Sequence, residues 1–176
     1  AKEGNPDMIK FVLKSNPGFD PNWGEGEILR WSAAKGWTTL VEYLLRDPRL
    51  DPAAEYNEAF RFAAFYGRVE VVKLLLADSR VDPSDIDDYA VRWAARRGHL
   101  ETIRLLLADP RIDPSVESNF VVRWAARQGH LETLRLLLAD PRIDPTDDEN
   151  SAVRWAASRG HDDIVRLLLE NGCEIY

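Results

Sequence analysis

The sequence predicts an all-α solenoid of stacked helix–turn–helix repeats with short extended fingers. Three observations lead to this prediction. Glycines recur every 31 residues, Asp-Pro turns recur with the same period, and two segments with apolar residues at helical spacing separate each glycine from the next. One unit of this kind cannot bury its apolar face alone, so neighbouring units are expected to stack.

Five columns of residues define the repeat, and the members of each column are 31 residues apart. One column holds glycines (Gly36, Gly67, Gly98, Gly129, Gly160), and two adjacent columns hold an aspartate and a proline (Asp20-Pro21, Asp51-Pro52, Asp82-Pro83, Asp113-Pro114, Asp144-Pro145). The fourth column holds arginines (Arg30, Arg61, Arg92, Arg123, Arg154), and the fifth holds aromatic residues (Trp31, Phe62, Trp93, Trp124, Trp155). Five columns that keep one register predict a repeat protein.

These columns divide one predicted domain, residues 1–176, into a partial repeat and five full repeats. The partial repeat covers residues 1–23, and the full repeats cover 24–54, 55–85, 86–116, 117–147 and 148–176. Because the chain opens at Ala1-Lys2-Glu3-Gly4, without an initiator Met and inside a repeat, we expect it to be a fragment of a longer array.

Each full repeat is predicted to hold two short helices. Asn57, Asp88, Asn119 and Asn150 are expected to cap the first helix through their side-chain oxygens. That helix is expected to end at the glycine column, where a positive φ terminates a helix at little cost. The second helix carries an acidic residue in its first turn, and the prolines after it exclude a longer helix and favour an extended turn.

The second helices resemble those of ankyrin repeats. Gly98-His99-Leu100-Glu101-Thr102-Ile103-Arg104-Leu105-Leu106-Leu107 is similar to the second half of such a repeat, as is its copy 31 residues later. Ala94-Ala95 match the paired small residues of the family's first helix. The period of 31 rather than 33 indicates a shortened finger, and Ala90-Val91-Arg92-Trp93 replaces the family's Thr-Pro-Leu-His. The resemblance covers the whole chain and implies a protein-binding role.

Composition excludes several other classes of protein. With 45% hydrophobic and 30% charged residues the chain is globular rather than disordered, and no apolar run reaches the ~18 residues of a membrane span. The net charge of −7 makes nucleic acid an unlikely partner. One cysteine cannot form an internal disulfide, which favours an intracellular and most simply cytoplasmic location.

The aromatic and arginine columns are predicted to be structural. The aromatic rings are expected to fill the gap between adjacent repeats, so that Trp93→Ala would cost ~3–5 kcal/mol of stability. The arginines are expected to form a ladder with aspartates or backbone carbonyls, because the guanidinium group suits such acceptors.

No catalytic, metal or cofactor site is predicted. His99, His130 and His161 lie on different repeats without a second ligand at metal-binding spacing. The acidic tips of the fingers lack the spacing of a calcium loop, and the sequence contains no phosphate-binding loop or nucleophile motif.

Binding residues are sought where the repeat is broken. In the family the variable surface is the finger and the exposed side of the first helix. There the N-terminal repeats carry Trp23, Trp37, Phe65 and Tyr66, and exposed aromatic residues are typical of protein-binding surfaces. Later repeats carry a basic strip that includes Arg96, Arg97, Arg127 and Arg159.

Three functions follow from these patterns. The first is a non-enzymatic scaffold or adaptor that binds a partner protein or peptide through the concave face and finger loops. The second is a structural spacer or assembly subunit of a larger complex. A distant third is phosphate or nucleic-acid binding through Arg96, Arg97 and Arg127.

Overall fold

The computed structural model describes residues 5–175, and in this range it contains eleven helices and no β-strand. The helices are α1 (Pro6–Ser15), α2 (Trp23–Lys35), α3 (Thr38–Leu45), α4 (Ala54–Phe65), α5 (Val69–Leu76), α6 (Asp85–Arg97), α7 (Leu100–Leu107), α8 (Val116–Gln128), α9 (Leu131–Leu138), α10 (Asp147–Ser158) and α11 (Asp162–Glu170). The opening residues Ala1-Lys2-Glu3-Gly4 lie outside the described part of the chain.

The chain divides into two compact units between Pro83 and Ser84. In the first unit α2 packs on α4, while α3 contacts both α1 and α5. In the second unit α8 packs between α6 and α10, and α9 contacts both α7 and α11. Each full repeat therefore supplies one first helix (α2, α4, α6, α8 or α10) and one second helix that packs against it.

The core of both units consists mainly of alanines and of branched apolar residues, with Phe60 as a larger member in the first unit. In the first unit Ala63, Ala64 and Phe60 of α4 are fully buried, together with the apolar face of α5. In the second unit Ala94-Ala95 and Ala125-Ala126 are fully buried in the same way. The paired alanines predicted from the sequence thus allow the first helices to approach one another closely.

The glycine column ends the first helices as predicted. Gly36, Gly98 and Gly129 are C-terminal caps with φ of 77°, 72° and 82°. The second helices α5, α7, α9 and α11 also carry the predicted acidic residue in the first turn, for example Glu101 in α7, whereas α3 carries none. These two features fix where each helix of a repeat begins or ends.

The fingers contain turns, and each one ends in three successive residues with left-handed backbone. In the fourth repeat Glu117, Ser118 and Asn119 have φ of 50°, 53° and 54°, and the right-handed part of α8 follows them. The same conformation occurs at Glu55–Asn57, Ile86–Asp88 and Asp148–Asn150, and in the first repeat at Gly24–Gly26. Left-handed backbone costs ~1–2 kcal/mol for a residue with a side chain, so other contacts must stabilise these turns.

The capping role predicted for Asn57, Asp88, Asn119 and Asn150 is therefore wrong. These residues have positive φ, whereas an N-cap residue is usually extended. Their side-chain oxygens reach the backbone of the Asp-Pro turn at the end of the same repeat: Asn57 accepts from Asp82 N at 2.9 Å, and Asn119 accepts from Asp144 N at 3.2 Å. Asn and Asp suit this column because they tolerate positive φ better than other residues with side chains.

Candidate functional site

The arginine column stabilises the left-handed turns. Arg61 donates to the carbonyl oxygens of Tyr56 at 2.8 Å and Glu55 at 2.9 Å, and Arg123 makes the equivalent bonds at 3.1 and 2.5 Å. The remaining members, Arg30, Arg92 and Arg154, each donate to at least one carbonyl of their own turn. The predicted arginine ladder is thereby confirmed.

Three of these arginines also pair with an acidic residue of the next repeat. Arg30 pairs with Glu58, Arg92 with Glu117 at 2.7 Å, and Arg123 with Asp148 at 3.0 Å. These carboxylates belong to the left-handed turns or the first helices. These side chains are accounted for within the fold.

A second arginine ladder was missed in the sequence. Arg80 binds Asp78 at 2.6 Å and also donates to the carbonyls of Leu50 at 2.8 Å and Leu45 at 3.1 Å in the preceding repeat. Arg142 repeats these contacts in the second unit. The signal was available, since Asp-x-Arg recurs every 31 residues at Asp47, Asp78, Asp109 and Asp140.

These ion pairs perturb the aspartates. The hydrogen bond from Arg49 lowers the pKa of Asp47 from its ordinary value of 3.8 to about 2. The same contact with the arginine two residues later lowers the pKa of Asp78, Asp109 and Asp140. The aspartates are thus charged, structural acceptors at neutral pH.

The histidines after the glycines connect neighbouring repeats. His130 Nε2 lies 3.0 Å from Arg96 O, and His161 Nε2 lies 3.1 Å from Arg127 O. In the first unit Arg68 occupies the same column and donates to Ala34 O at 2.9 Å. Residues 5–175 contain no cluster of three or more potential metal ligands.

Cys173 has a structural environment. Its thiol donates to Pro145 O at 3.2 Å, and burial together with the charge of Asp144 raises its pKa to about 11. A thiol with so high a pKa is protonated at neutral pH and is a poor nucleophile.

The aromatic column is exposed or half-buried, so the prediction that it belongs to the buried core is wrong, although Trp124 and Trp155 of adjacent repeats do meet edge to face at 5.9 Å. Trp31 is 56% exposed, and Phe62, Trp93, Trp124 and Trp155 are half-buried. The space between neighbouring first helices is already filled by the paired alanines. The larger rings therefore lie on the surface of the first helices, where a partner can reach them.

In the second unit two arginines of the basic strip lie against these tryptophans. The guanidinium carbon of Arg96 is 4.3 Å from the ring centre of Trp93 and 4.0 Å from that of Trp124. The guanidinium carbon of Arg127 lies 4.6 Å from Trp124 and 5.1 Å from Trp155. We call this alternating series the Trp–Arg stack. Arg97 and Arg159 are exposed.

In the first unit the first helices α2 and α4 border an open groove of about 300 Å³. Its lining residues are Arg30, Trp31, Ala34, Glu58, Phe62 and Tyr66. Tyr66 is 48% exposed, and its ring meets those of Phe62 and Phe65 edge to face at 6.4 and 4.9 Å. We call this feature the aromatic groove.

The structure brings together only some of the four aromatic residues predicted as a binding surface. Phe65 and Tyr66 are in contact, and Tyr66 lines the aromatic groove. Trp23, 59% exposed, begins α2, and half-buried Trp37 follows its end. Nine right-handed residues separate these tryptophans, a rise of roughly 13 Å, so one surface that includes both must follow the length of α2.

Sequence reasoning missed two exposed aromatic residues. Trp31 was assigned to the core because it shares the aromatic column, and Tyr56, 68% exposed in a left-handed turn, was not among the predicted binding residues. For Trp31 the sequence did hold a signal. Trp93 and Trp124 have an arginine three residues on, at Arg96 and Arg127, whereas Trp31 has Ala34.

None of the helices within residues 5–175 has the length and apolar character needed to cross a bilayer.

A family model described as ankyrin repeats (3 copies) matches residues 1–87 and again residues 91–176. A search of curated proteins finds no match. Ankyrin repeats are generally protein–protein interaction modules and are typically not enzymes. The matched residues include nearly the whole chain and agree with helix pairs that pack on one another in each unit. The chain therefore belongs to the ankyrin-repeat family.

Proposed function

We propose that this protein is a non-enzymatic scaffold or adaptor that binds a partner protein or peptide through the exposed surface of its first helices and its fingers. The observation that carries the proposal is the aromatic groove. Trp31 and Tyr66 expose about half of their surface beside an open space. By contrast, Ala63 and Ala64 on the same first helix as Phe62 are completely buried. Exposed aromatic residues around a depression are typical of the centre of a protein interface.

The proposed surface extends beyond the groove. Trp23 and Tyr56 are exposed on the fingers, and Phe65 supports Tyr66. Trp37, just after the C-terminal end of α2, is also proposed to contact the partner. In the second unit the proposed contact residues are Arg96, Arg97 and Arg127, of which Arg97 is exposed.

A protein partner fits the basic strip better than nucleic acid does. Arg96 and Arg127 lie against tryptophan rings, which leaves only the edges of their guanidinium groups for a ligand. Non-specific binding to nucleic acid depends on many accessible cations, and the chain carries a net charge of −7. The single cysteine, buried and reduced, is in keeping with an intracellular and cytoplasmic protein.

The test is affinity capture from the source lysate with three forms of the protein. The native chain is compared with Trp31→Ala/Tyr66→Ala, and with a control, Glu42→Ala/Arg46→Ala, which removes an exposed ion pair from the second helix α3. We expect a partner that the native chain and the control retain and the groove variant loses, with all three folded by circular dichroism.

The spacer hypothesis predicts a different result. A spacer requires intact repeats rather than a particular exposed ring, so the groove variant would assemble as well as the native chain. Equal retention by all three forms would overturn the adaptor proposal.

A further inference from the structure

The aromatic groove and the Trp–Arg stack occupy equivalent places in their repeats. Trp31 corresponds to Trp93, Phe62 to Trp124, and Ala34 to Arg96, each pair being two repeats apart. In the second unit the arginine side chain lies between the two aromatic residues, 4.3 and 4.0 Å from their ring centres. In the first unit alanine is too short to reach that position, and the space is open.

We propose that the aromatic groove receives an arginine side chain of the partner, which occupies the place that Arg96 fills in the second unit. The proposal deepens the proposed function, on which it rests, by naming the chemistry of the contact. The planar guanidinium group stacks on aromatic faces and carries its charge into such a site at a lower desolvation cost than an ammonium group does.

The walls of the groove are held in position before a partner arrives. The indole Nε1 of Trp31 donates to Glu27 Oε1 at 3.3 Å, which orients the ring. Tyr66 is held by its edge-to-face contact with Phe62, at an interplanar angle of 74°. A preformed site loses less conformational entropy on binding, so a single side chain can be bound measurably.

The charges around the groove also favour a cation. Glu58 is paired with Arg30, which in addition donates to Gly24 O, so these two lining charges neutralise each other. Glu27 takes part in no ion pair among the described residues, and its carboxylate lies at the edge of the Trp31 ring. The chain as a whole is acidic, with a net charge of −7, which attracts a basic segment.

The probe is the peptide acetyl-Gly-Ser-Arg-Ser-Gly-amide, titrated into the full chain while the Trp31 indole N–H signal is followed by NMR. Two matched peptides carry citrulline or leucine in place of arginine. We expect millimolar binding of the arginine peptide. The citrulline peptide, which keeps the shape but not the charge, is expected to bind about five- to thirtyfold more weakly, which corresponds to about 1–2 kcal/mol of cation–π attraction.

The decisive variant is Ala34→Arg, which gives the first unit the side chain that the second unit has. We expect it to fold, to fill the groove and to abolish peptide binding. The control Ala77→Arg adds the same charge at an exposed position after α5, away from the groove, and is expected to bind the peptide as the native chain does. If Ala34→Arg fails to fold, Trp31→Ala provides the same test, because it removes an exposed ring.

Equal binding of the arginine, citrulline and leucine peptides would overturn the proposal, as would undiminished binding by Ala34→Arg. So would the absence of any shift at millimolar arginine peptide. These outcomes are separable from failure of the proposed function. A partner captured through Trp31 and Tyr66, together with no preference for arginine, would leave the adaptor role intact and refute only the arginine contact.

Discussion

Asn119 offers the sharpest test of how a left-handed turn is stabilised by the Asp-Pro turn and finger at the end of its own repeat. It is 5% exposed, has a φ of 54°, accepts from Asp144 N at 3.2 Å and donates to Asp147 Oδ2 at 2.9 Å. Asn119→Gly retains the freedom to adopt positive φ but loses both hydrogen bonds. A net ~1 kcal/mol for a neutral bond and ~1.5 for one to a charged acceptor gives a loss of about 2–3 kcal/mol.

Asn119→Ala should cost more than Asn119→Gly. It loses the same two hydrogen bonds and adds the penalty of a left-handed residue with a Cβ, ~1–2 kcal/mol. The expected order of stability is native, then Gly, then Ala, with about 1–2 kcal/mol between the two variants. Urea unfolding followed by circular dichroism measures these differences.

A third variant tests the partner of Asn119 rather than its backbone. Asn119→Asp resembles Asp88 of the preceding repeat, but it places a carboxylate beside Asp147, where that repeat has Val116. We expect Asn119→Asp to be destabilising, and Asn119→Asp/Asp147→Val to recover most of the loss.

Equal stability of Asn119→Gly and Asn119→Ala would refute the role assigned to the Asn/Asp column, which is to stabilise a left-handed turn through side-chain hydrogen bonds. Stability of both variants within ~0.5 kcal/mol of the native chain would refute it as well.

Three further predictions follow from the repeats. Trp124→Ala should cost ~1–2 kcal/mol in urea unfolding, below the ~3–5 of a core aromatic residue, because the ring is half-buried and its contacts with Arg96, Arg127 and the neighbouring aromatic rings lie at the surface; a loss of ~3 kcal/mol or more would assign the ring to the core. Gly129→Ala should destabilise more than Gly160→Ala in thermal unfolding, since both have positive φ but only the first places a Cβ 2.8 Å from His161; equal losses would contradict this. Folding lowers the pKa of Asp47 from 3.8 to about 2 and also lowers the pKa of Asp78, Asp109 and Asp140, so the stabilisation from these aspartates is present above pH 4 and should be lost as the pH falls below 4. An acid titration at fixed urea would show it, and unchanged stability across this range would refute it.

The sequence predicted the positions of the helices well because the repeat encodes backbone geometry directly. A glycine at one place in every unit identifies a residue with positive φ, and paired alanines identify a close helix contact. The Asn/Asp column was misassigned because the same residue types favour both N-caps and left-handed backbone. Gly26, the member of this column in the first repeat, was the distinguishing signal, since glycine has no side-chain oxygen with which to cap a helix.

The surface was harder to predict because periodicity does not separate a buried column from a half-buried one. Trp93 and Ala94 recur with equal regularity, yet alanine occupies the space between helices and tryptophan lies outside it. An arginine three residues after an aromatic residue on a helix faces that residue, and Arg96 could have indicated the Trp–Arg stack. The aromatic groove could be recognised only in the structure, because it arises where the short side chain of Ala34 replaces an arginine.

The difference between Ala34 and Arg96 shows how one column can serve stability in one repeat and recognition in another. Where the column holds arginine, the guanidinium group covers the rings of its own chain and stabilises the contact between repeats. Where it holds alanine, the same rings are left to an outside ligand. Ser158 ends the column in the last repeat, and the contacts on Trp155 come from the repeat before it, from Arg127 at 5.1 Å, Arg123 at 5.9 Å and the ring of Trp124 at 5.9 Å. A partner contact can therefore arise by one substitution in a column, with the backbone and the stacking of the repeat left unchanged.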